Sequence, residues 1–322
     1  ATVLPLPASH PRPSPLKILL LTGLLCLIWG STWVVIQGGL ESLPPFTSAA
    51  LRFTLAALCM SVLAAAFAER EGGARPTLRL TLVLGTLNFA GSYGLVYWSE
   101  TRLPSGLVSV LWAVFPMLQA TLGHFLLREE RLGAWQLGGF VLGFLGVASL
   151  FATDLRALGP GAVPAGALVL VAPLVSAFGT TAVKRFGAGT SSLALNRNGM
   201  WIGAACLGVL ALLLEREATF TWDRGALLSL AYLSLCGTVL TFGIYFWLLR
   251  HVPASQLSVI AYVTPAIALA LGALLNDEPL TRWTLLGFAG IVAGVFLVHQ
   301  GARRRAGAVL AASATPAKSP SA

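Results

Sequence analysis

Residues 104–131 read PSGLVSVLWAVFPMLQATLGHFLLREER, and residues 253–280 read PASQLSVIAYVTPAIALALGALLNDEPL. Pro104 aligns with Pro253, Ser109 with Ser258, Val110 with Val259 and Pro116 with Pro265, each 149 positions apart. Leu122-Gly123 then aligns with Leu271-Gly272. One residue is lost before the acidic end, so Glu130 meets Glu278, Gly139 meets Gly287 and Gly146 meets Gly294 at an offset of 148. Upstream, Gly94 and Trp98 face Gly243 and Trp247. A repeat of nearly half the chain predicts two homologous halves. Each carries a proline inside an apolar run.

Only 10% of the 322 residues are charged and 56% are hydrophobic, with a mean hydropathy of +0.80. Soluble domains carry about 25% charged residues. A bilayer core of ~30 Å needs about 20 apolar residues per helix. Ten such runs fit, at 17–38, 45–67, 80–99, 105–127, 133–152, 162–183, 194–214, 225–248, 254–275 and 282–299. They are continuous rather than alternating, which excludes a β-barrel. The fold class is an all-α integral membrane protein of ten transmembrane helices.

The net charge of +9 does not point to nucleic acid, because its distribution follows the membrane. With the amino terminus inside, fifteen Lys and Arg fall in cytoplasmic segments, among them Lys17, Arg75, Lys184 and Arg303-Arg304-Arg305. Five, such as Arg102 and Arg216, fall on the other side, and Arg52 alone stands within a span. This positive-inside bias places both termini in the cytoplasm. Five spans per repeat is an odd number, so the second half crosses in the opposite sense. Such inverted-topology repeats are typical of secondary transporters, with the substrate at mid-membrane between the halves.

The expected divisions are a disordered Pro-rich tail at 1–16, repeats at 17–153 and 162–300, and a loose basic tail at 301–322. The first apolar run is too long for a signal peptide and is expected to remain as helix 1. Cys26, Cys59, Cys206 and Cys236 have neither metal nor disulfide spacing and read as small buried residues. No cofactor and no metal are expected.

Proline in a helix removes a backbone hydrogen bond and crowds the carbonyl four residues earlier. At Pro116 and Pro265 those carbonyls belong to Trp112 and Ala261. The two prolines are read as hinges of helices 4 and 9, against the alternative of plain packing kinks. Trp29, Trp33 and Gln37 share a face of helix 1, Tyr93, Tyr97 and Glu100 a face of helix 3, and Trp112, Pro116 and Gln119 a stripe of helix 4. Tyr262, Trp201 and Tyr245 stand on helices 9, 7 and 8. Buried Trp and Tyr need polar partners, so Trp29, Trp33, Tyr93, Tyr97, Trp112, Gln119, Trp201, Tyr245 and Tyr262 are the expected substrate-binding set. The alternative is an interfacial belt, to which Trp135, Trp222 and Trp283 are assigned.

Arg52 either attracts a substrate carboxylate or pairs with carbonyls and snorkels. His124 reads as a packed or interfacial side chain. No acid lies mid-span, which favours facilitated movement over proton coupling, with His124 or Glu100 as fallback proton carriers. Glu130 and Glu278 are expected at the amino ends of helices 5 and 10, favoured by the helix dipole. Gly139-x-x-x-Gly143 and Gly290-x-x-x-Gly294 allow close helix approach, within the monomer or at a dimer face.

WGSTW at 29–33, LRF at 51–53, the Pro104–Pro116 stretch, and ERL at 130–132 followed by Gln136, Gly139 and Gly146 resemble the EamA group of the drug/metabolite transporter superfamily. The resemblance covers all but the tails and implies two inverted five-helix repeats. It further implies that helices 1–4 and 6–9 surround the cavity while 5 and 10 brace it. The aromatic wealth and the expected lack of a buried carboxylate make the chain most similar to the YddG-type exporters of aromatic amino acids. One departure is Pro279-Leu280, where the first half has Arg131-Leu132.

The resulting expectation is an inner-membrane exporter of aromatic or apolar amino acids, working by alternating access as a monomer or weak homodimer. Its partners are a small-molecule substrate and the lipid bilayer. A rival is an efflux transporter of cationic or aromatic drugs, using cation–π contacts to the same rings and possible proton coupling. An enzyme is disfavoured, since no nucleophile–base pair or H-E-x-x-H cluster lies in the spans.

Overall fold

A computed structural model describes residues 13–127, 133–252, 257 and 259–314. Among these the regular structure is helical apart from one isolated bridge, Ala74 to Thr190. The spans are α1 (Pro15–Leu40), α2 (Pro45–Phe67), α3 (Leu78–Glu100), α4 (Ser105–Leu127), α5 (Ala134–Ala157), α6 (Ala162–Phe186), α7 (Ser192–Leu214) and α8 (Arg224–Tyr245). The shorter α9 (Ile260–Leu275) and then α10 (Arg282–Gly301) complete the ten. The expected first turns of span nine fall largely outside the described residues, as do Glu130, Arg131 and Pro253. Lipid offers no hydrogen bonds, so each apolar run satisfies its backbone as a helix.

The main helix pairings follow one exchange rule, in which each helix is swapped for its repeat equivalent. α1 packs on α9 as α6 packs on α4, α3 packs on α6 as α8 packs on α1, and α3 packs on α7 as α8 packs on α2. α2 with α7 and α5 with α10 are pairs of equivalents that meet each other. The repeat extends to irregular backbone. α3 is π-helical over Leu84–Ser92 and α8 over Tyr232–Leu240, the same stretch to within one residue of the repeat offset. π-Helical turns inside α-helices often mark functional sites.

Glycine explains the α5–α10 pair. A Cβ on Gly139 would lie 2.5 Å from the Gly294 carbonyl oxygen, and one on Gly146 2.7 Å from that of Gly287. The small-residue faces are therefore used within the monomer. α10 continues as helix to Ala314, so the tail expected to be loose from Gly301 is helical through that residue. Its Ala-rich sequence favours helix and holds no proline before Pro316. At the start of the chain the helix already includes Pro15, with Ser14 Oγ accepting from Lys17 N at 3.3 Å.

Candidate transport site

α1 carries aromatic side chains toward both repeats. The Trp29 ring lies 5.6 Å from that of Tyr245 on α8. One turn on, Trp33 lies 6.3 Å from Trp112 on α4, and Trp112 stacks on Phe115 at 4.9 Å. All five are half-buried. Aromatic pairs at such spacings stabilise by about 0.5–1.5 kcal/mol beyond burial. The i, i+4 spacing that sequence reasoning found on α1 thus aims one ring at each half. Phe115 was missed, although its position between Trp112 and Pro116 was the available signal.

Polar groups sit beside these rings. Gln119, one turn after Phe115, donates Nε2 to Thr181 Oγ1 on α6 at 3.0 Å. Its Oε1 is buried with no partner among the described residues, as is Thr264 Oγ1 on α9. The Thr264 carbonyl lies against Gly30 of α1, which has no side chain to obstruct it. Tyr262 packs on the same cluster as Trp33 and Trp112, and its hydroxyl lies 2.9 Å from His299 Nδ1 on α10. His299 was not foreseen.

Tyr93 and Tyr97 belong to a separate buried cluster with Phe53 of α2. Tyr93 meets Phe53 edge-on at 4.8 Å, and the Arg52 guanidinium lies 5.0 Å from the Tyr93 ring. Arg52 is 2% exposed. It donates to Thr238 Oγ1 at 3.2 Å, Tyr97 Oη at 3.3 Å and the Gly237 carbonyl at 3.5 Å. Buried among α2, α3 and α8, it does not snorkel, and three of its five N–H groups are engaged by α8 and α3.

The two prolines differ. In α4 the regular helix stops at Trp112 and restarts at Phe115, with Met117 N donating to Val114 O at 2.9 Å. Pro116 therefore opens a new helical segment. Pro265 is buried inside a continuous helix.

At the end of the bundle where α1 finishes, the repeats are fastened together. Asn276 Nδ2 donates to Gln37 Oε1 at 3.0 Å, and Gln37 Nε2 reaches Leu103 O at 3.4 Å. Glu278 accepts from Ser105 N at 2.8 Å, Ser105 Oγ at 2.5 Å and Gly106 N at 2.8 Å. The expectation that Glu278 caps α10 is thus corrected: it caps α4. α10 starts at Arg282 and is capped by Thr281, whose Oγ1 accepts from Thr284 N at 3.0 Å. Asp154 of α5 in turn accepts from the Thr281 and Thr284 hydroxyls. Glu215, after α7, treats the start of α2 as Glu278 treats α4, accepting from Phe46 N, Thr47 N and Thr47 Oγ1 at 2.7–2.8 Å.

Two stretches of the chain, residues 16–152 and 164–300, each match the model of the EamA-like transporter family. The chain belongs to this family. Among curated relatives, the Escherichia coli K12 protein described as a probable amino-acid metabolite efflux pump is 31% identical, over 88% of this chain and 94% of its own. The uncharacterized inner membrane transporter YedA of the same organism is 29% identical, over 86% and 89%. The uncharacterized transporter YoaV of Bacillus subtilis is 26% identical, over 84% and 92%. A crystal structure with a TM-score of 0.64 and 19% identity spans 91% of this chain and 99% of that one, a likeness of fold.

The EamA-like chain is therefore a multi-pass membrane transporter. Of its expected site residues, Trp201 is 40% exposed on the α7 face beside α2, with Nε1 donating to Ser61 Oγ at 3.3 Å. It stands apart from the Trp33–Trp112 group. Two grooves, of ≈ 840 Å³ at Gly91, Gly94 and Cys206 and ≈ 520 Å³ at Lys17, Gly243 and Trp247, are not lined by Trp33 or Trp112. Trp135, Trp222 and Trp283 are all exposed. Among the described residues no group of three His, Cys, Asp or Glu could hold a metal.

Proposed function

We propose that this transporter exports aromatic or other apolar amino acids and related small metabolites, by alternating access through the space between its repeats. The observation that carries this reading is the Trp112–Phe115 stack, with Trp33 tilted against it, beside the Gln119 oxygen that has no partner among the described residues. The rings offer flat apolar faces, and Gln119 Oε1 is an acceptor for a substrate ammonium. The relative described as a probable amino-acid metabolite efflux pump supports the same substrate class. In this reading the break before Pro116 and the backbone hydrogen bond that Pro265 removes inside α9 let the two helices change shape between states. The protein lies in the bacterial inner membrane with both termini cytoplasmic. It works as a monomer or weak homodimer, since its glycine faces are already occupied by α5 and α10.

Flux in liposomes tests this, with labelled tryptophan, phenylalanine, leucine and an organic cation. Saturable tryptophan and phenylalanine movement that falls in Trp112→Ala supports the reading. Preferential movement of the cation overturns it in favour of drug efflux.

A further inference from the structure

Glu100 ends α3 and is 3% exposed, yet both its carboxyl oxygens are buried with no hydrogen-bond partner among the described residues. The charges acting on it are Glu278, across the fastened end of the bundle, and Arg52 of α2. Glu278 is engaged with the start of α4. Arg52 bonds Thr238, Tyr97 and Gly237 and makes no hydrogen bond to Glu100. The remaining titratable groups of this cluster are Tyr97 and Tyr93, on the same helix. Arg102, just beyond, is exposed and turned over the Trp98 ring at 3.8 Å. The packing of α1 and α4 brings Gln37 and Ser105 to this end, and α6 brings the Ala165 carbonyl that accepts from Ser99 Oγ.

A bare carboxylate in such surroundings carries the full desolvation cost, and a second carboxylate nearby adds repulsion. The neutral acid carries neither. Opening this end would part Glu278 from Ser105 and admit water to Glu100. Closing it again would strand any charge left there.

We propose that Glu100 is a proton-binding site whose occupancy is tied to closure of the Gln37–Glu278 end, and that the transporter exchanges substrate for protons. The carboxylate takes one proton from water on that side before closure. It releases the proton to the other side once that side opens. This rests on the transport reading above and replaces the facilitated movement that the lack of a mid-span acid suggested.

The test uses the full chain in liposomes and two independent readouts. The first is tryptophan flux with an opposing pH gradient, compared with tryptophan–tryptophan exchange, which needs no net proton movement. Glu100→Gln should lose the gradient response and keep exchange. The second needs no substrate: infrared difference spectra between acid and alkaline pH should show a protonated-carboxyl band that Glu100→Gln lacks. If Glu100→Gln does not yield folded protein, Glu100→Asp should shift that band. Tryptophan that fails to move while the band behaves as stated sinks the aromatic-substrate reading and leaves the proton site standing. A gradient response retained in Glu100→Gln, a sodium gradient that serves equally well, or a band indifferent to both substitutions overturns the inference.

Discussion

One oxygen of Glu278 receives both the backbone N–H of Ser105, at 2.8 Å, and its hydroxyl, at 2.5 Å, across 173 positions of chain. The other oxygen receives Gly106 N at 2.8 Å. The carboxylate rests against Gly106 and Gly272, where a Cβ would crowd it. Asp277, with φ of 51°, turns the chain so that Glu278 comes back toward α4. An anion at a helix amino terminus is favoured by up to about 2 kcal/mol, and hydrogen bonds to charged groups contribute about 1.5–3 kcal/mol each. In a transporter that opens at this end, those bonds must break in every cycle.

Glu278→Gln should therefore favour the state open at this end. A cysteine placed at Asn276, beside Gln37, should react with an impermeant maleimide about tenfold faster in that background, since ~1.4 kcal/mol is a factor of ten. An unchanged rate would mean the contact does not hold the end shut.

The α5–α10 pair should be intolerant of a side chain at Gly294, inside the contact, and indifferent to one at Gly138, which faces away from it. A Cβ on Gly294 would lie 2.5 Å from the Gly139 carbonyl oxygen, whereas Gly138 has nothing within 4 Å. Gly294→Val should destabilise by at least the ~1–3 kcal/mol typical of overpacking, and Gly138→Val should be close to neutral. Thermal melts of both variants in detergent distinguish them.

The architecture was readable because a bilayer imposes one solution on long apolar runs, and the Pro104–Gly123 and Pro253–Gly272 echo exposes the repeat. Spacing of four on α1 also put Trp29 and Trp33 on one face, as the structure has them. The partners of polar side chains were not readable. Glu278 looks like the acid of the helix that follows it, and only the folded turn at Asp277 shows it serving α4. Glu100 reads as the last polar group on the Tyr93–Tyr97 face of helix 3, beyond the mid-span region and only a fallback proton carrier. The segment that ends at Glu100 packs against α1, α2, α4 and α6, which helical periodicity does not reveal. Tyr97 shares a face with Glu100, but Arg52 claims its hydroxyl from another helix.

Asp223 should make the start of α8 sensitive to acid. Its Oδ1 accepts from Ala226 N at 2.7 Å and its Oδ2 from Ser42 Oγ at 2.5 Å, and these bonds hold the carboxyl below its ordinary range. A folded-state pKa below the unfolded one means stability that is present above about pH 4 and lost as pH falls through the folded value. Hydrogen exchange at Ala226 and Leu227 should rise over that acid window and become flat in Asp223→Asn.

Pro116 and Pro265 occupy equivalent positions but should respond differently to replacement. In α4 the helix has already parted between Trp112 and Phe115, and Met117 N pairs with Val114 O instead of reaching back a full turn. Pro116→Ala restores an N–H that can bond Trp112 O, which draws the two segments into one helix and moves the Trp112–Phe115 stack. Pro265→Ala acts inside a helix that is already continuous, so it supplies one bond without rebuilding the backbone. Tryptophan flux should therefore fall severalfold more in Pro116→Ala than in Pro265→Ala, while both proteins remain folded by circular dichroism. Equal losses would assign the hinge to both repeats alike, and a larger loss from Pro265→Ala would place it in α9.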